Sequence, residues 1–373
     1  MNEANHKKDK KAAKSKKQDA PPKIEVTASR VHLYNNIKTS LEAIQSLPPK
    51  SSESIYKVYP FEHIHYSFIN LGLKVRAGKI TSHTEICNKI LTNFRDILED
   101  MHEKDQVFVR YVETKLTTCK NILAEFIHLD ESMQNVFNFL FQVNSIISLN
   151  ADMDKACRWL IDRIDDYVMQ KFKNAETLII ENSIKLIKTD DHILTTTHSN
   201  IIVRLVEEAV RAGINFTVYI VYDPQSEKSK QDCLRLQRTG ANIVMTNYSN
   251  MAYFMNIVNK VFVSGNVMYQ NGYLLANSGV STIALFAKKF RKPLYVLVSS
   301  FKFSDKTLID SLVVNESNYD VNDPDRVIRL EYDLVPSRLI SLLITEIGLM
   351  PPTSVPVILR EFKFDFESLN YEE

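Results

Sequence analysis

Glycine is scarce in this chain, at 8 of 373 residues, about 2% where about 7% is usual. Neither GxGxxG nor GxxxxGK(S/T) occurs, so the common glycine-rich phosphate loops are excluded. Cysteine is equally sparse. Cys87, Cys119, Cys157 and Cys233 form no CxxC pair and have no neighbouring histidine set, which leaves neither a zinc site nor a disulfide framework and fits a reducing compartment. No apolar run approaches the ~18 residues of a membrane span. The lysine-rich N-terminus lacks the apolar stretch of a signal peptide. A cytosolic, soluble protein without metal or cofactor is the expectation. Charge of neither sign dominates, with 46 Lys+Arg against 45 Asp+Glu, so the chain as a whole carries no nucleic-acid signature.

What is present is enough apolar material for a core, 45% against 24% charged, in a chain long enough for two or three folded units. Residues 1–54 read as a basic tail and linker. Seven lysines lie between Lys7 and Lys17 with only Glu3 and Asp9 nearby, and such a block repels itself and has nothing to bury. Its functional reading is a weak contact with RNA or an acidic partner. Prolines at 21, 22, 48 and 49 put the start of ordered structure near Ile55.

Residues 55–174 carry apolar side chains at helical spacing: Ile86, Ile90, Phe94, Ile97 and Leu98 share one face, as do Met133, Val136, Phe137, Leu140 and Phe141. A helical domain follows, closed by one long connector from Asp152 to Lys173. Residues 175–373 alternate strand and helix. HILTTT, FTVYIVYD, NIVMT, KVFVSG and PLYVLVSS read as strands, and FTVYIVYD, nearly continuous in β-branched and aromatic residues, suits burial on both faces. Between them IIVRLVEEAVRA, SKQDCLRLQRT, NMAYFMNIVN and STIALFAKKF read as helices. The alternation predicts an α/β, Rossmann-like, doubly wound and mostly parallel sheet. Beyond it we expect a strand VIRLEYDLV, a helix from Ser337 to Gly348, and an apolar C-terminal extension needing cover, an oligomer interface being the natural one. The final FKFDFESLNYEE fits either an edge strand, a partner-binding motif or a frayed tail.

Ligands of doubly wound sheets collect outside the carboxyl ends of the strands. There this chain offers one histidine, His198, one carboxylate, Asp223, and one clear cation, Lys302, among neutral threonines, serines and asparagines. For proton transfer this is a thin set.

Four stretches, HYSFINLGLKVRAGKITSHTEICNKILTNFRDIL, DHILTTTHSNIIVRLVEEAVRAG, NGYLLANSGVSTIALFAKKFRKPLYVLVSSFKF and EYDLVPSRLISLLITEIGLMPP, together resemble the regulatory subunits (alpha, beta and delta) of eukaryotic translation initiation factor 2B. The likeness runs from about Ile64 to Arg360. The ending LITEIGLMPPTSVPVILR and the basic extension are most like the delta branch, with beta next. The resemblance implies a relation to sugar-phosphate isomerases and a pointed difference from them. Their Thr-His-Cys run, with its catalytic cysteine, is matched by Thr195-Thr196-Thr197, so Thr197 stands in the thiol's place. Their Gly-Ala-Asp run becomes Ser264-Gly265-Asn266, and the lysine of their Asn-Lys-Ile-Gly-Thr run becomes Asn277, while Lys302 is kept. A hydroxyl is far less acidic than a thiol, and an amide cannot accept a proton as a carboxylate does.

The resemblance therefore implies a degenerate pocket of Thr197, His198, Asp223, Asn266, Asn277 and Lys302 with no catalytic residue. It implies a regulatory and scaffolding subunit of the guanine nucleotide exchange factor for initiation factor 2, with no membrane association. The partners it implies are a beta subunit in a heterodimer, the alpha, gamma and epsilon subunits, and the alpha subunit of initiation factor 2, whose phosphorylation the assembly detects. Leu129, Ile328, Leu330 and Tyr332 become candidates for the beta–delta interface. Two other classes stay open from the residues: an isomerase working through His198, Asp223 and Lys302, and a homodimer that binds phosphorylated sugars.

Overall fold

The structure, a computed structural model, describes residues 65–101, 107–197, 199–222, 227–315 and 330–367, all within one compact unit, Leu47–Glu373. The basic tail, the expected start near Ile55, His198, Asp223 and Ile328 lie outside the described residues.

Helices α1 (Tyr66–Arg76), α2 (His83–Glu99), α3 (Phe108–Phe126), α4 (Glu131–Ile146) and α5 (Met153–Val168) pack on one another. Each contributes a stripe at three- and four-residue spacing. On α2 it is Ile86, Ile90, Phe94, Ile97 and Leu98, and on α4 Met133, Val136, Phe137 and Leu140, all buried, with Phe141 packed against the same core. Asp130 starts α4 by accepting the Met133 N–H at 2.8 Å, as an N-cap should. Gly72 lets α1 close on α3: a Cβ there would sit 2.5 Å from the Phe126 ring.

The connector continues without a break. After α5 the helix widens into a π-helical stretch, Met169–Asn174, and resumes as α6 (Ala175–Ile184). Residues 174 and 175, the expected division, lie inside this run.

Strands β1 (Asp191–Thr196), β2 (Phe216–Val221), β3 (Asn242–Thr246), β4 (Lys260–Ser264), β7 (Leu294–Leu297), β10 (Leu342–Ile344) and β11 (Leu349–Met350) form a seven-stranded sheet in the order β11-β10-β7-β4-β1-β2-β3. Every pairing is parallel except β10 with β11. The parallel strands thus run 3-2-1-4-5-6 in order of appearance, the doubly wound Rossmann arrangement. Helices α6, α7 (Asn200–Arg211) and α8 (Glu227–Gln237) cover one face, burying Ile179, Ile202, Val206 and Leu236 against Val218, Ile220 and Phe262. The other face carries α9 (Met251–Ile257), α10 (Val280–Lys289) and α11 (Val355–Glu367), with Met251, Ile283, Ala287, Val355 and Ile358 over Val261, Val263 and Val296. A second sheet, β8-β5-β6-β9, is built from a hairpin of β5 (Val267–Tyr269) and β6 (Leu274–Asn277) joined by β8 (Phe303–Ser304) and β9 (Tyr332–Val335). Among the described residues no helix is long and apolar enough to cross a membrane.

Two expectations for the C-terminal part need correction. The helix expected over 337–348 is a 3-10 turn, Ser337–Leu339, followed by β10 and β11. The short apolar run LISLLI fits either period, and the unfilled side of β7 decides for a strand. Second, FKFDFE continues α11 to Glu367 and forms no edge strand. The apolar extension is covered only in part by its own chain: Leu343, Ile344, Met350, Val355 and Ile358 are buried within this unit, while Ile347, Leu349 and Val357 stay exposed. The described part of VIRLEYDLV contributes only Tyr332–Val335, antiparallel to β6.

Candidate functional site

Strand order reverses direction between β1 and β4, and outside their carboxyl ends opens a cleft of about 480 Å³. One wall is the first turn of α2 and the π-helical stretch, the other the first turn of α7, and the floor is the end of β4, the end of β6 and the turn Ser299–Lys302. This is where general considerations put the ligands of such a sheet.

The floor is made of amides and hydroxyls. Asn266 donates from Nδ2 to Asn277 Oδ1 at 2.7 Å, so the two amides pair with each other. Thr197 is buried and shares a hydrogen bond with the Ser229 hydroxyl on α8, which ties its oxygen to the helix layer. Lys302 reaches across the floor, donating from Nζ to the Gly265 carbonyl at 3.2 Å. Burial pulls its pKa below the ordinary lysine value, against the smaller opposing effects of Cys87, Asp130 and Glu176. The one cysteine close by, Cys87, is held as a neutral thiol, because burial pushes its pKa far up and Asp130 adds to the effect.

Lys302 is positioned by a turn gripped from three sides. Glu346, in the β10–β11 loop, accepts the Ser300 N–H at 3.0 and 3.1 Å and the Ser300 hydroxyl. Asn135 of α4 donates to the carbonyls of Phe301 and Phe303 at 2.9 and 2.7 Å. The Phe301 ring enters the helical core, 4.6 Å from the Phe172 ring between centroids. Alternation along Phe301-Lys302-Phe303 thus sends one aromatic into the helical core, the lysine to the cleft floor and the other aromatic into the sheet core.

A second link joins the layers beside the cleft. Asp130 is buried and pairs with His83 Nδ1, and His83 Nε2 lies 3.2 Å from the Tyr332 hydroxyl on β9. Burial by itself would raise the Asp130 pKa. His83, the Met133 N–H and the Ser132 hydroxyl outweigh that and hold it below the ordinary carboxylate value.

The structure brings Asn266, Asn277 and Lys302 together and turns Thr197 away toward α8. Of the interface candidates, Leu129 is enclosed by the helical core, Leu330 is half-exposed, and Tyr332 is held by His83. Sequence reasoning passed over Arg204, Glu176, Glu346, Asn135 and His83. Arg204 of α7 and Glu176 of α6 form an ion pair in the cleft wall, 2.5 Å from Nη1 to Oε2. Among the described residues no group of three or more His, Cys, Asp or Glu side chains is arranged to hold a metal ion.

The strand order and the switch-point cleft define a Rossmann-type α/β protein carrying a helical layer, with a site of amides, hydroxyls and cations. Residues 79–352 match the initiation factor 2 subunit family, and the chain belongs to that family. Similar curated proteins include translation initiation factor eIF2B subunit delta of Schizosaccharomyces pombe, 29% identical over 324 residues, covering 80% of this chain and 69% of the relative. The same subunit of Dictyostelium discoideum is 26% identical over 370 residues, covering 93% of this chain but 59% of that relative. A ribose 1,5-bisphosphate isomerase of Archaeoglobus fulgidus is 28% identical over 210 residues, covering 54% of this chain and 66% of the relative. In fold the chain is similar to a chain of the tetrameric eIF2B beta2-delta2 complex from C. thermophilum, with TM-score 0.76 and 22% identity over 82% of this chain and 96% of that one.

Proposed function

We propose that this chain is a noncatalytic, delta-type regulatory and scaffolding subunit of the exchange factor for translation initiation factor 2. The observation that carries the reading is the similarity to two delta subunits over 80% and 93% of the chain. The chemistry of the cleft supports it, because among the described residues the strand ends present Thr197 and the Asn266–Asn277 amide pair, groups unable to shuttle a proton between carbons. In this reading the α/β layer pairs with a beta-type subunit, as in the beta–delta assembly of the structural relative. The complex takes up alpha, gamma and epsilon chains and works in the cytoplasm. The helical layer helps receive the alpha subunit of initiation factor 2. Phosphorylation of that subunit adds about two negative charges, so the discrimination is local and electrostatic. Leu330 and Tyr332 stay interface candidates, and the basic tail adds a weak RNA contact.

Affinity purification of the endogenous tagged chain tests this. We expect a separate beta-type chain together with gamma and epsilon chains, and a stable homodimer alone would overturn the assignment. Turnover assays with ribose 1,5-bisphosphate address the isomerase alternative. We expect none, and isomerisation lost on Asp223→Asn would refute the noncatalytic reading.

One observation favours a second property compatible with the first. The cleft is open, about 480 Å³, and is lined by Lys171, Lys173, Arg204 and Lys302 against Glu85 and Glu176. Such a cleft suits a small phosphorylated metabolite even without turnover.

A further inference from the structure

The cationic cleft contains its own counter-ion. Arg204 stands one turn into α7, four residues after Asn200, and both line the cleft. The first turn of α7 carries no acidic side chain, and its leading N–H groups have no partner within the helix. Lys171 and Lys173 of the π-helical stretch line the cleft as well. Two carboxylates oppose this charge, Glu85 on the first turn of α2 and Glu176 on α6, and of the two it is Glu176 that pairs with Arg204. That carboxylate, two residues beyond the π-helical stretch, lies 2.5 Å from the Arg204 guanidinium, and both side chains keep contact with solvent, 29% and 39% exposed.

Resting on the anion-binding reading of the cleft, we propose that Glu176 is a built-in competitor which sets the cleft's affinity and selects dianionic phosphomonoesters over weaker anions. A guanidinium presents one planar fork of donors. A phosphate arriving on Arg204 must share or displace the carboxylate already there, and it meets the repulsion of that charge as well. Because the pair is open to water, the exchange carries no large desolvation cost, so the carboxylate is displaceable. A monoanion gains little from the exchange. A phosphomonoester with two charges and three acceptor oxygens can engage Arg204, the first turn of α7 and the lysines at once. The pair also links ligand to fold, since Glu176 lies on α6, which runs back into α5, and Arg204 lies on α7 beside it.

The prediction has an unusual sign: removing a cleft residue should improve binding. Titration calorimetry on the full-length chain, with ribose 5-phosphate, inorganic phosphate and ribose as probes, tests it. We expect Glu176→Gln to bind ribose 5-phosphate about three- to fivefold more tightly than the native chain, the scale of a partly exposed ion pair. Arg204→Gln should lose the binding, inorganic phosphate should compete, and ribose should give no signal. Glu208→Gln removes the same charge from an α7 carboxylate that pairs with Arg211, and should leave the affinity unchanged. If the native chain binds and Glu176→Gln binds no more tightly, or Glu208→Gln tightens binding equally, the competitor role fails while the anion reading stands. If neither the native chain nor Glu176→Gln binds ribose 5-phosphate, both fail.

Discussion

The two ends of β1 and β4 treat charge in opposite ways. At their starting ends Asp191 and Lys260 are paired, the carboxylate buried and the lysine side chain 16% exposed. Asp191 also accepts from Asn259 Nδ2 at 2.9 Å and from the Lys188 N–H at 2.6 Å, while Lys260 Nζ donates to the Leu186 carbonyl at 2.8 Å. At the carboxyl ends Arg204, Glu176 and the π-stretch lysines border an open cleft. A largely enclosed pair with its other hydrogen bonds made holds structure, because an exchange of partners would strand the buried carboxylate. Pairs left in contact with water can change partners at small cost. Parallel strands place all starts at one end and all finishes at the other, so one sheet supplies both a staple and a receptive site.

Breaking the staple should have the largest effect. Lys260→Met leaves Asp191 buried without its cation, and about 3–5 kcal/mol of stability should be lost in urea unfolding; a loss below about 1 kcal/mol would remove the contrast between the two ends. Next comes Phe301→Ala, which empties a ring from the helical core and should cost about 3 kcal/mol, with faster amide exchange in α4 as the sign that the layers have loosened. Glu346→Ala deprives the Ser300 N–H and hydroxyl of their acceptor. We expect about 2 kcal/mol from the charged hydrogen bonds and a Lys302 less firmly placed, visible as reactivity toward an amine-modifying reagent.

The smallest effect concerns acid. The Asp130 pKa is lower in the folded chain than in the unfolded one. Its stabilisation is therefore complete above the unfolded value, about 3.9, and drains away as pH falls through the lower folded value. Asp130→Asn should flatten that part of the stability-against-pH curve.

How far these features could be read beforehand varies with their range along the chain. The stripes of α2 and α4 and the strands β1, β2, β4 and β7 were legible, because burial on one helical face or on both faces of a sheet imposes a period on neighbouring residues. LISLLI was not, since its six residues serve either period and the vacancy beside β7 is set by residues 294–297. The β5–β6 hairpin carries one local mark, the Asn271-Gly272 dipeptide of its turn, where Gly272 takes a positive φ of 76°. In the cleft, the grouping of Asn266, Asn277 and Lys302 could be anticipated, whereas the bond that takes Thr197 to Ser229 on α8 could not. The Asn135 clamp on Phe301, 166 residues away, had no local signal at all.

Which chemical groups are on hand was written in the chain: amides and hydroxyls at the ends of β1, β4 and β6, Lys302 beside them, and alternating strands and helices to carry them. Which charges meet was settled by packing, which sets Glu176 against Arg204 in contact with water and the buried Asp191 against Lys260. Coulomb energies depend on separation and on surrounding water, and both are settled when crossovers and packing bring distant segments side by side.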